Sequence, residues 1–357
     1  MKKLISTLIF CGFFLSAAAQ VPADDARIFY EGRTLSEAGA VRFDWTGTTV
    51  RICFSGRSLS MKASGTQPCY FNVWIDEEPC AKHQKVLCVQ KSGNYTICSK
   101  LKKGEHFAVL QKRQEGEYGE CRIESFKTDG ALLQACDPFE RHIEFIGDSY
   151  TCGYGTEGAD RNQPFRAEEE NGNLTYAAII GRYFGAGVRQ IAHSGRGIVR
   201  NYGDGDPENT MPVRYPRALD EQAEPLWTPE GYKPDIVVIY LGTNDFSEGR
   251  QPNLGAWCSE YERLLREVRG FYGEDVPILC VASKANEMMG DYVAQAVSRS
   301  GVKGVSWTSI QEDAHNDTDE LGSSWHPNYA GQRKVALCVI PYVSTLTGWD
   351  LPFKAIE

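Results

Sequence analysis

After its first twenty residues, the 357-residue sequence has no segment long and apolar enough to cross a membrane, and no internal repeat or low-complexity tract. Its composition, with 42% hydrophobic and 24% charged residues, excludes disorder, collagen and coiled coil for the whole chain. Positive charge is also scarce, since 38 Lys and Arg face 47 Asp and Glu, for a net charge of −9. Because an acidic chain repels a phosphate backbone, we expect no nucleic-acid partner.

The N-terminus has the pattern of a secretory signal peptide. Lys2 and Lys3 precede an apolar run over residues 4–15, and Ala17-Ala18-Ala19 supplies small residues for cleavage. The alternative, a retained anchor, would have to span about 30 Å of hydrocarbon, for which this run is too short. We therefore expect residues 1–20 to be removed and the mature protein to be secreted or periplasmic.

The cysteines show no CxxC zinc spacing, and the sequence indicates no metal and no cofactor. Twelve are present, and eleven remain after removal of residues 1–20. Export permits disulfides, and an odd number leaves at least one thiol without an intramolecular partner. We expect mostly buried thiols, with one or two bridges.

The first part of the mature chain is predicted to be all-β. Apolar and polar residues alternate in Val41–Trp45, Val50–Phe54 and Phe71–Ile75, the period of half-buried strands. Turn residues separate such segments, at Ser55-Gly56, Ser64-Gly65, Ser92-Gly93-Asn94 and Asp129-Gly130. Short strands at regular spacing predict a β-sandwich, a jelly roll, over residues 21–136.

The pattern changes near Asp137-Pro138, and residues 137–357 alternate between strands and helices. The predicted strands are His142–Ile146, Val188–Ala192, Asp235–Leu241, Val276–Val281 and Val302–Trp307. The predicted helices are Tyr176–Phe184, Ser259–Gly270, Glu287–Ser298 and Asn328–Leu346. This alternation predicts an α/β fold, a three-layer α/β/α domain with a parallel sheet, whose active site lies at the carboxyl ends of the strands.

Four short motifs follow predicted strands or precede a predicted helix. They are Gly147-Asp148-Ser149, His193-Ser194-Gly195-Arg196-Gly197, Gly242-Thr243-Asn244-Asp245 and His326-Pro327-Asn328. Each alone also fits a turn or a helix cap. Together they supply a nucleophile, a closely approaching backbone amide, a side-chain amide donor and a general base.

In this order the motifs resemble those of the SGNH (GDSL-type) hydrolases, which are named for the four residues. The resemblance implies Ser149 as the nucleophile and His326 as the base. It implies an oxyanion hole formed by the Ser149 amide, the Gly195 amide and the Asn244 side chain. The sequence has no GxSxG elbow, which argues against the ordinary α/β-hydrolase fold.

The preceding jelly roll narrows the resemblance to carbohydrate esterase family two. The stretch from Ser194 to Gly203 is also similar to that family's second block. The resemblance implies a serine esterase that removes acetyl groups from plant cell-wall polysaccharides such as xylan and mannan. Two alternatives stay open: a carbohydrate-binding protein with little activity, and an esterase for another exported acyl ester, such as acetylated peptidoglycan.

One position departs from the superfamily, which usually places an Asp three residues before the catalytic His. Here that residue is Ser323. Some members of the esterase family lack this Asp, which implies a Ser–His dyad with a backbone carbonyl as the partner of the imidazole Nδ1–H. Asp317 and Asp319 remain alternative acids.

Two further features of the sequence, an aromatic pair and an acidic run, each allow two interpretations. Tyr150 and Trp325 adjoin the proposed catalytic residues, and either stack on sugar rings or only pack their loops. The acidic run Glu312–Glu320 is either a cation site or a solvated loop, and we favour the loop because it lacks the glycine that a calcium loop requires.

Overall fold

A computed structural model describes residues 20–283, 286–310 and 318–357. Nearly all of the predicted signal peptide, and most of the acidic run, therefore lie outside the described residues. In the described part, no helix combines the length and the apolar character needed to cross a membrane.

The N-terminal part is a sandwich of two antiparallel sheets, as predicted. One sheet has the order β3-β4-β11-β6-β9 with β1 on β11, and the other has the order β12-β5-β10-β7-β8 with β2 on β5. The strands are β1 (Gln20–Pro22), β2 (Phe29–Glu31), β3 (Leu35–Glu37), β4 (Ala40–Phe43), β5 (Thr49–Gly56), β6 (Leu59–Gly65), β7 (Cys69–Ile75), β8 (Lys85–Val89), β9 (Gly93–Cys98), β10 (Gly104–Lys112), β11 (Cys121–Thr128) and β12 (Leu132–Leu133).

The alternating residues place one face of each strand in the sandwich core. Val50, Ile52 and Phe54 of β5 all point into it. Three predicted turn glycines are instead strand residues, because Gly56 pairs with Gly104, Gly65 with Cys121 and Gly93 with Ala63. The turns are therefore shorter than the sequence pattern indicates.

The C-terminal part has the predicted parallel sheet, in the order β14-β13-β15-β16-β17. Its strands are β13 (His142–Gly147), β14 (Gly187–Ala192), β15 (Ile236–Tyr240), β16 (Ile278–Ala282) and β17 (Val305–Ser309). The helices are α1 (Ser149–Cys152), α2 (Tyr176–Phe184), α3 (Met211–Arg214), α4 (Leu254–Tyr272), α5 (Met289–Ser300) and α6 (Tyr329–Thr347).

Strand β15 shows why the sheet is covered on both faces. Val237 and Ile239 pack in one core with residues of α4 and α5, whereas Val238 and Tyr240 pack in another with residues of α2 and α6. A strand buried on both faces is apolar at every position. The three-layer α/β/α arrangement follows, and the carboxyl ends of β13, β14 and β15 lie side by side.

The cysteines differ from the expectation of one or two bridges. All eleven in the described residues are free thiols, and six of them are buried. Several pack inside the cores as small hydrophobic side chains, among them Cys121 of β11 and Cys280 of β16.

Candidate active site

The turn after β13 presents Ser149 at the sheet edge. Asp148 caps α1, because its carboxylate accepts a hydrogen bond from the Tyr150 N–H at 3.2 Å. A Cβ atom at Gly147 would lie 1.9 Å from the Thr151 Oγ1, so only glycine fits where the strand meets the helix. Ser149 lines a cleft of about 730 Å³.

The structure brings His326 to Ser149, although 177 residues separate them. The His326 Nε2 lies 2.9 Å from the Ser149 Oγ, within hydrogen-bond distance. The residues that follow His326 are held in place by a helix cap. The Asn328 side chain accepts hydrogen bonds from the Ala330 and Gly331 amides and so caps α6. His326 thus stands immediately before a fixed helix terminus.

The partner of the other imidazole nitrogen is a backbone carbonyl. The His326 Nδ1 lies 2.8 Å from the Ser324 carbonyl oxygen. Ser324 and Trp325 have φ of 52° and 63°, in the left-handed region that carries strain for residues with a Cβ. Asp319 is exposed and has no hydrogen bond or ion pair to His326 in the described part of the chain, while Asp317 lies outside it.

Aromatic rings surround the imidazole. The ring centroids of Tyr154 and Tyr150 lie 4.6 Å and 5.7 Å from that of His326. Burial lowers the pKa of His326 to about 4, although the hydrogen bond to the Ser324 carbonyl acts in the opposite direction. The imidazole is therefore neutral near pH 7, the form in which it accepts a proton.

Three predicted oxyanion donors line the same cleft: Ser149, Gly195 and Asn244. Within the described residues, neither the Ser149 nor the Gly195 N–H donates a hydrogen bond. The Asn244 Nδ2 is held by the Arg196 carbonyl at 3.0 Å and by the Asp148 carboxylate at 3.2 Å. Gly195 has φ +74°, which accounts for glycine at this position.

Asp245 supports this loop, a role that the sequence analysis missed. Its buried carboxylate accepts hydrogen bonds from the amides of Ile198, Val199 and Arg200 at 2.8, 2.8 and 3.0 Å. Burial raises the pKa of Asp245 to about 6, and the three amides counter that rise. The sequence did contain a signal for this role, because Asp245 directly follows Asn244 in the motif Gly242-Thr243-Asn244-Asp245.

The two predicted aromatic contacts have different environments. Trp325 is 59% exposed, lines the cleft, and has the Arg161 guanidinium 4.5 Å from its ring centroid. Tyr150 lines the cleft too, and its ring packs edge-on against Tyr240, at 5.9 Å between centroids. Tyr202, 63% exposed, lines the cleft as well; it lies in the stretch quoted above but was not singled out.

Three groups of described residues bring metal-ligating side-chain types within 4.8 Å of one another. The groups are Glu31, Asp137 and His142; Glu115, Cys152 and Glu170; and His193, Asp220 and Glu221. Internal ion pairs and hydrogen bonds hold their members, for example His193 to Asp220 at 2.7 Å.

Comparison with known proteins identifies the family. Residues 30–135 match the family described as carbohydrate esterase 2 N-terminal, and residues 145–334 match the GDSL-like lipase/acylhydrolase family. A solved structure of a family two carbohydrate esterase from Clostridium thermocellum, in complex with cellohexaose, is 32% identical. It superimposes with a TM-score of 0.81, covering 90% of this chain and 100% of that one. This chain belongs to carbohydrate esterase family 2.

Two curated relatives of this chain carry names for their activities. Cellulase/esterase CelE of Acetivibrio thermocellus is 32% identical over 341 residues, which are 93% of this chain. The chain spans only 41% of the length of CelE. An acetylxylan esterase/glucomannan deacetylase of Cellvibrio japonicus is 27% identical over 89% of this chain and 90% of the relative.

Proposed function

We propose that this esterase is a secreted serine enzyme that removes O-acetyl groups from plant cell-wall polysaccharides such as acetylated glucomannan or xylan. The observation that carries the proposal is the 2.9 Å contact between the Ser149 Oγ and the His326 Nε2 inside an open cleft. The activities named for the Cellvibrio japonicus relative give the substrate class.

The first step is attack on the acetyl carbonyl. Neutral His326 removes the proton from the Ser149 hydroxyl as its oxygen bonds to the carbonyl carbon. The resulting oxyanion accepts hydrogen bonds from the Ser149 amide, the Gly195 amide and the Asn244 side chain. Asn244 exchanges its 3.2 Å contact with the Asp148 carboxylate for the oxyanion and keeps the Arg196 carbonyl. The Ser324 carbonyl accepts the Nδ1–H at 2.8 Å, and so orients the imidazole in place of a carboxylate.

The second step releases acetate. The sugar oxygen leaves with the proton that His326 holds, and the acetyl group stays on Ser149. His326 then takes a proton from water, which attacks the acetyl-enzyme through a second oxyanion. The Ser149 oxygen recovers the proton, so both residues return to their initial state. No step is assigned to a metal or a cofactor.

The walls of the cleft suit a saccharide. The exposed rings of Trp325 and Tyr202 line the cleft and can stack on pyranose faces. The cellohexaose bound in the Clostridium thermocellum structure is consistent with this class of ligand. We further propose export, with residues 1–20 as the signal peptide.

The decisive experiment is Ser149→Ala. Acetate release from acetylated glucomannan and acetylated xylan should fall to background, while circular dichroism and the melting temperature stay unchanged. Ser194→Ala, in the same cleft, serves as the matched control and should retain activity. Undiminished release by Ser149→Ala would overturn the role of the serine.

The alternatives make different predictions for the wild-type protein. A binding protein without activity would release no acetate even from an aryl acetate. An esterase for acetylated peptidoglycan would act faster on O-acetylated muramyl substrates than on manno- or xylo-oligosaccharides. Initial rates on the three substrate classes therefore separate these functions.

A further inference from the structure

The β-sandwich contributes a buried carboxylate to the loop that carries Gly195. Glu115, three residues after the end of β10, is completely buried. Its carboxylate accepts a hydrogen bond from the Ser194 N–H, and the Cys152 Sγ lies 3.3 Å from the same oxygen. A side chain of one domain therefore binds the backbone next to the proposed oxyanion donor of the other.

A buried imidazolium lies near this carboxylate. His193 lies 2.7 Å from Asp220, 3.3 Å from Glu117 and 3.9 Å from Glu115, and Arg214 anchors Asp220 at 2.8 Å. Burial by itself lowers the pKa of His193, but the Asp220, Glu115 and Glu117 carboxylates together outweigh it and raise this pKa to about 10. In return, His193 helps to lower the pKa of the Asp220 and Glu117 carboxyl groups, although burial acts in the opposite direction.

The loop is consequently held from two sides. Asp245 binds the amides of residues 198–200 from the C-terminal domain, and Glu115 binds the Ser194 amide from the β-sandwich. The Gly195 amide lies between these two attachments. A donor that is fixed before the reaction stabilises a developing oxyanion without further reorganisation.

We propose that Glu115 is a positioning residue for the reaction, which orients the Gly195 amide toward the oxyanion through its hydrogen bond to the Ser194 N–H. This inference rests on the proposed esterase function. It gives the β-sandwich a part in catalysis, through the 115–118 turn, in addition to its packing against the C-terminal domain.

The test compares Glu115→Ala, Glu115→Asp and Glu115→Gln in the full chain. Glu115→Ala removes the hydrogen-bond acceptor, and Glu115→Asp moves the carboxylate away from the Ser194 N–H by the length of one methylene group. Both variants should lower kcat about 10- to 100-fold, with little change in KM. Glu115→Gln keeps a side-chain oxygen that can accept the same N–H, and should retain most of the wild-type kcat. Hydrogen exchange at the Ser194 amide should accelerate in the Ala and Asp variants.

Glu31→Ala is the matched control. Glu31 is also a buried β-sandwich carboxylate, and it contacts Arg189 of β14 at 3.3 Å, away from the cleft. This variant should lower the melting temperature and leave kcat unchanged. If Glu115→Ala does not fold, Glu115→Asp decides the question.

A folded Glu115→Asp variant with wild-type kcat would overturn the inference, as would an equal loss of kcat in Glu31→Ala. Those results would leave the proposed esterase function intact, since that function depends on Ser149. Conversely, activity that survives Ser149→Ala would overturn the function before Glu115 is considered.

Discussion

His326 becomes half-buried on folding and gains a carbonyl oxygen, rather than a carboxylate, as its Nδ1 partner among the described residues. A carboxylate would stabilise the imidazolium and raise its pKa, whereas burial disfavours the charged form. The result is a pKa of about 4, below the ordinary histidine value of 6.5. The base form of His326 therefore persists to lower pH than in an exposed histidine.

This lowered pKa predicts the acid limb of the pH–rate profile. Plotted against pH, kcat/KM for an uncharged acetate ester should stay level through pH 6.5 and fall to half near pH 4, where the neutral imidazole is lost. The measurement is a set of initial rates from pH 3.5 to 8 at constant ionic strength. A midpoint near 6.5 would show that the imidazole is not desolvated in this way.

Folding must be followed over the same pH range. Because the unfolded chain binds a proton to this histidine near pH 6.5 and the folded chain does so only near 4, His326 contributes stability at high pH that is lost as the pH falls through this interval. Tryptophan fluorescence at each pH separates protonation of the base from acid unfolding.

Asn244 offers a second test at the residue scale. Asn244→Ala removes the proposed side-chain donor, and we expect kcat to fall about 10²- to 10³-fold, because the oxyanion loses one hydrogen bond. Thr243→Ala, next to it on the same cleft wall, should change kcat little. A wild-type kcat in a folded Asn244→Ala variant would contradict the proposed oxyanion hole.

At the scale of elements, the turn from Ser323 to Trp325 explains why the usual Asp position holds a small residue. A Cβ atom at Gly155 would lie 2.7 Å from the Ser323 Oγ, and one at Gly158 would lie 2.7 Å from the Ser323 Cβ. The side chain is thus packed against another loop, while the left-handed backbone of the next two residues turns the Ser324 carbonyl toward His326.

Ser323→Asp is therefore predicted not to restore a triad. The larger, charged side chain has no space beside the two glycines, and burying it unpaired is costly. We expect a lower melting temperature and a kcat no higher than that of the wild type. Ser323→Ala is the control for loss of the hydroxyl alone. A kcat increase in Ser323→Asp would show that the turn can accept the acid.

At the scale of the whole molecule, Arg33 links the two parts of the chain. It follows β2 of the β-sandwich, is completely buried, and lies 3.7 Å from the Glu144 carboxylate of β13. Its guanidinium stacks 4.3 Å from the Trp227 ring centroid and 4.8 Å from that of Tyr215. We propose that residues 21–136 and 137–357 are two domains that unfold together because of such contacts.

Arg33→Ala should lower the free energy of unfolding by about 3–5 kcal/mol, because Glu144 is left as a buried charge without its cation. Urea denaturation followed by fluorescence measures this change. The double variant Arg33→Met, Glu144→Gln removes both charges and should recover much of the loss. If Arg33→Ala unfolds with wild-type stability, the two parts are not coupled through this pair.

The sequence was sufficient for features that depend on local pattern. The period of apolar residues predicted three strands of the first part and the sheet strands and four long helices of the second, since a strand or helix must bury one face or both. The short helices α1 and α3 were not predicted. The chain order of Ser149, Gly195, Asn244 and His326 was enough to predict the family. The limits of the strands were less well predicted. Gly56 and Gly65 have the sequence pattern of turn residues, but both pair with residues of neighbouring strands.

Tertiary structure decided what depends on residues that are distant in the chain. The backbone conformation of Ser324 and Trp325 makes the Ser324 carbonyl, and not Asp319, the partner of the His326 Nδ1. Burial of the His326 imidazole lowers its pKa. The contact of Glu115 with the Ser194 amide joins residues 79 positions apart. No local pattern encodes such a contact, because the packing of the β-sandwich on the C-terminal part of the chain brings the two groups together.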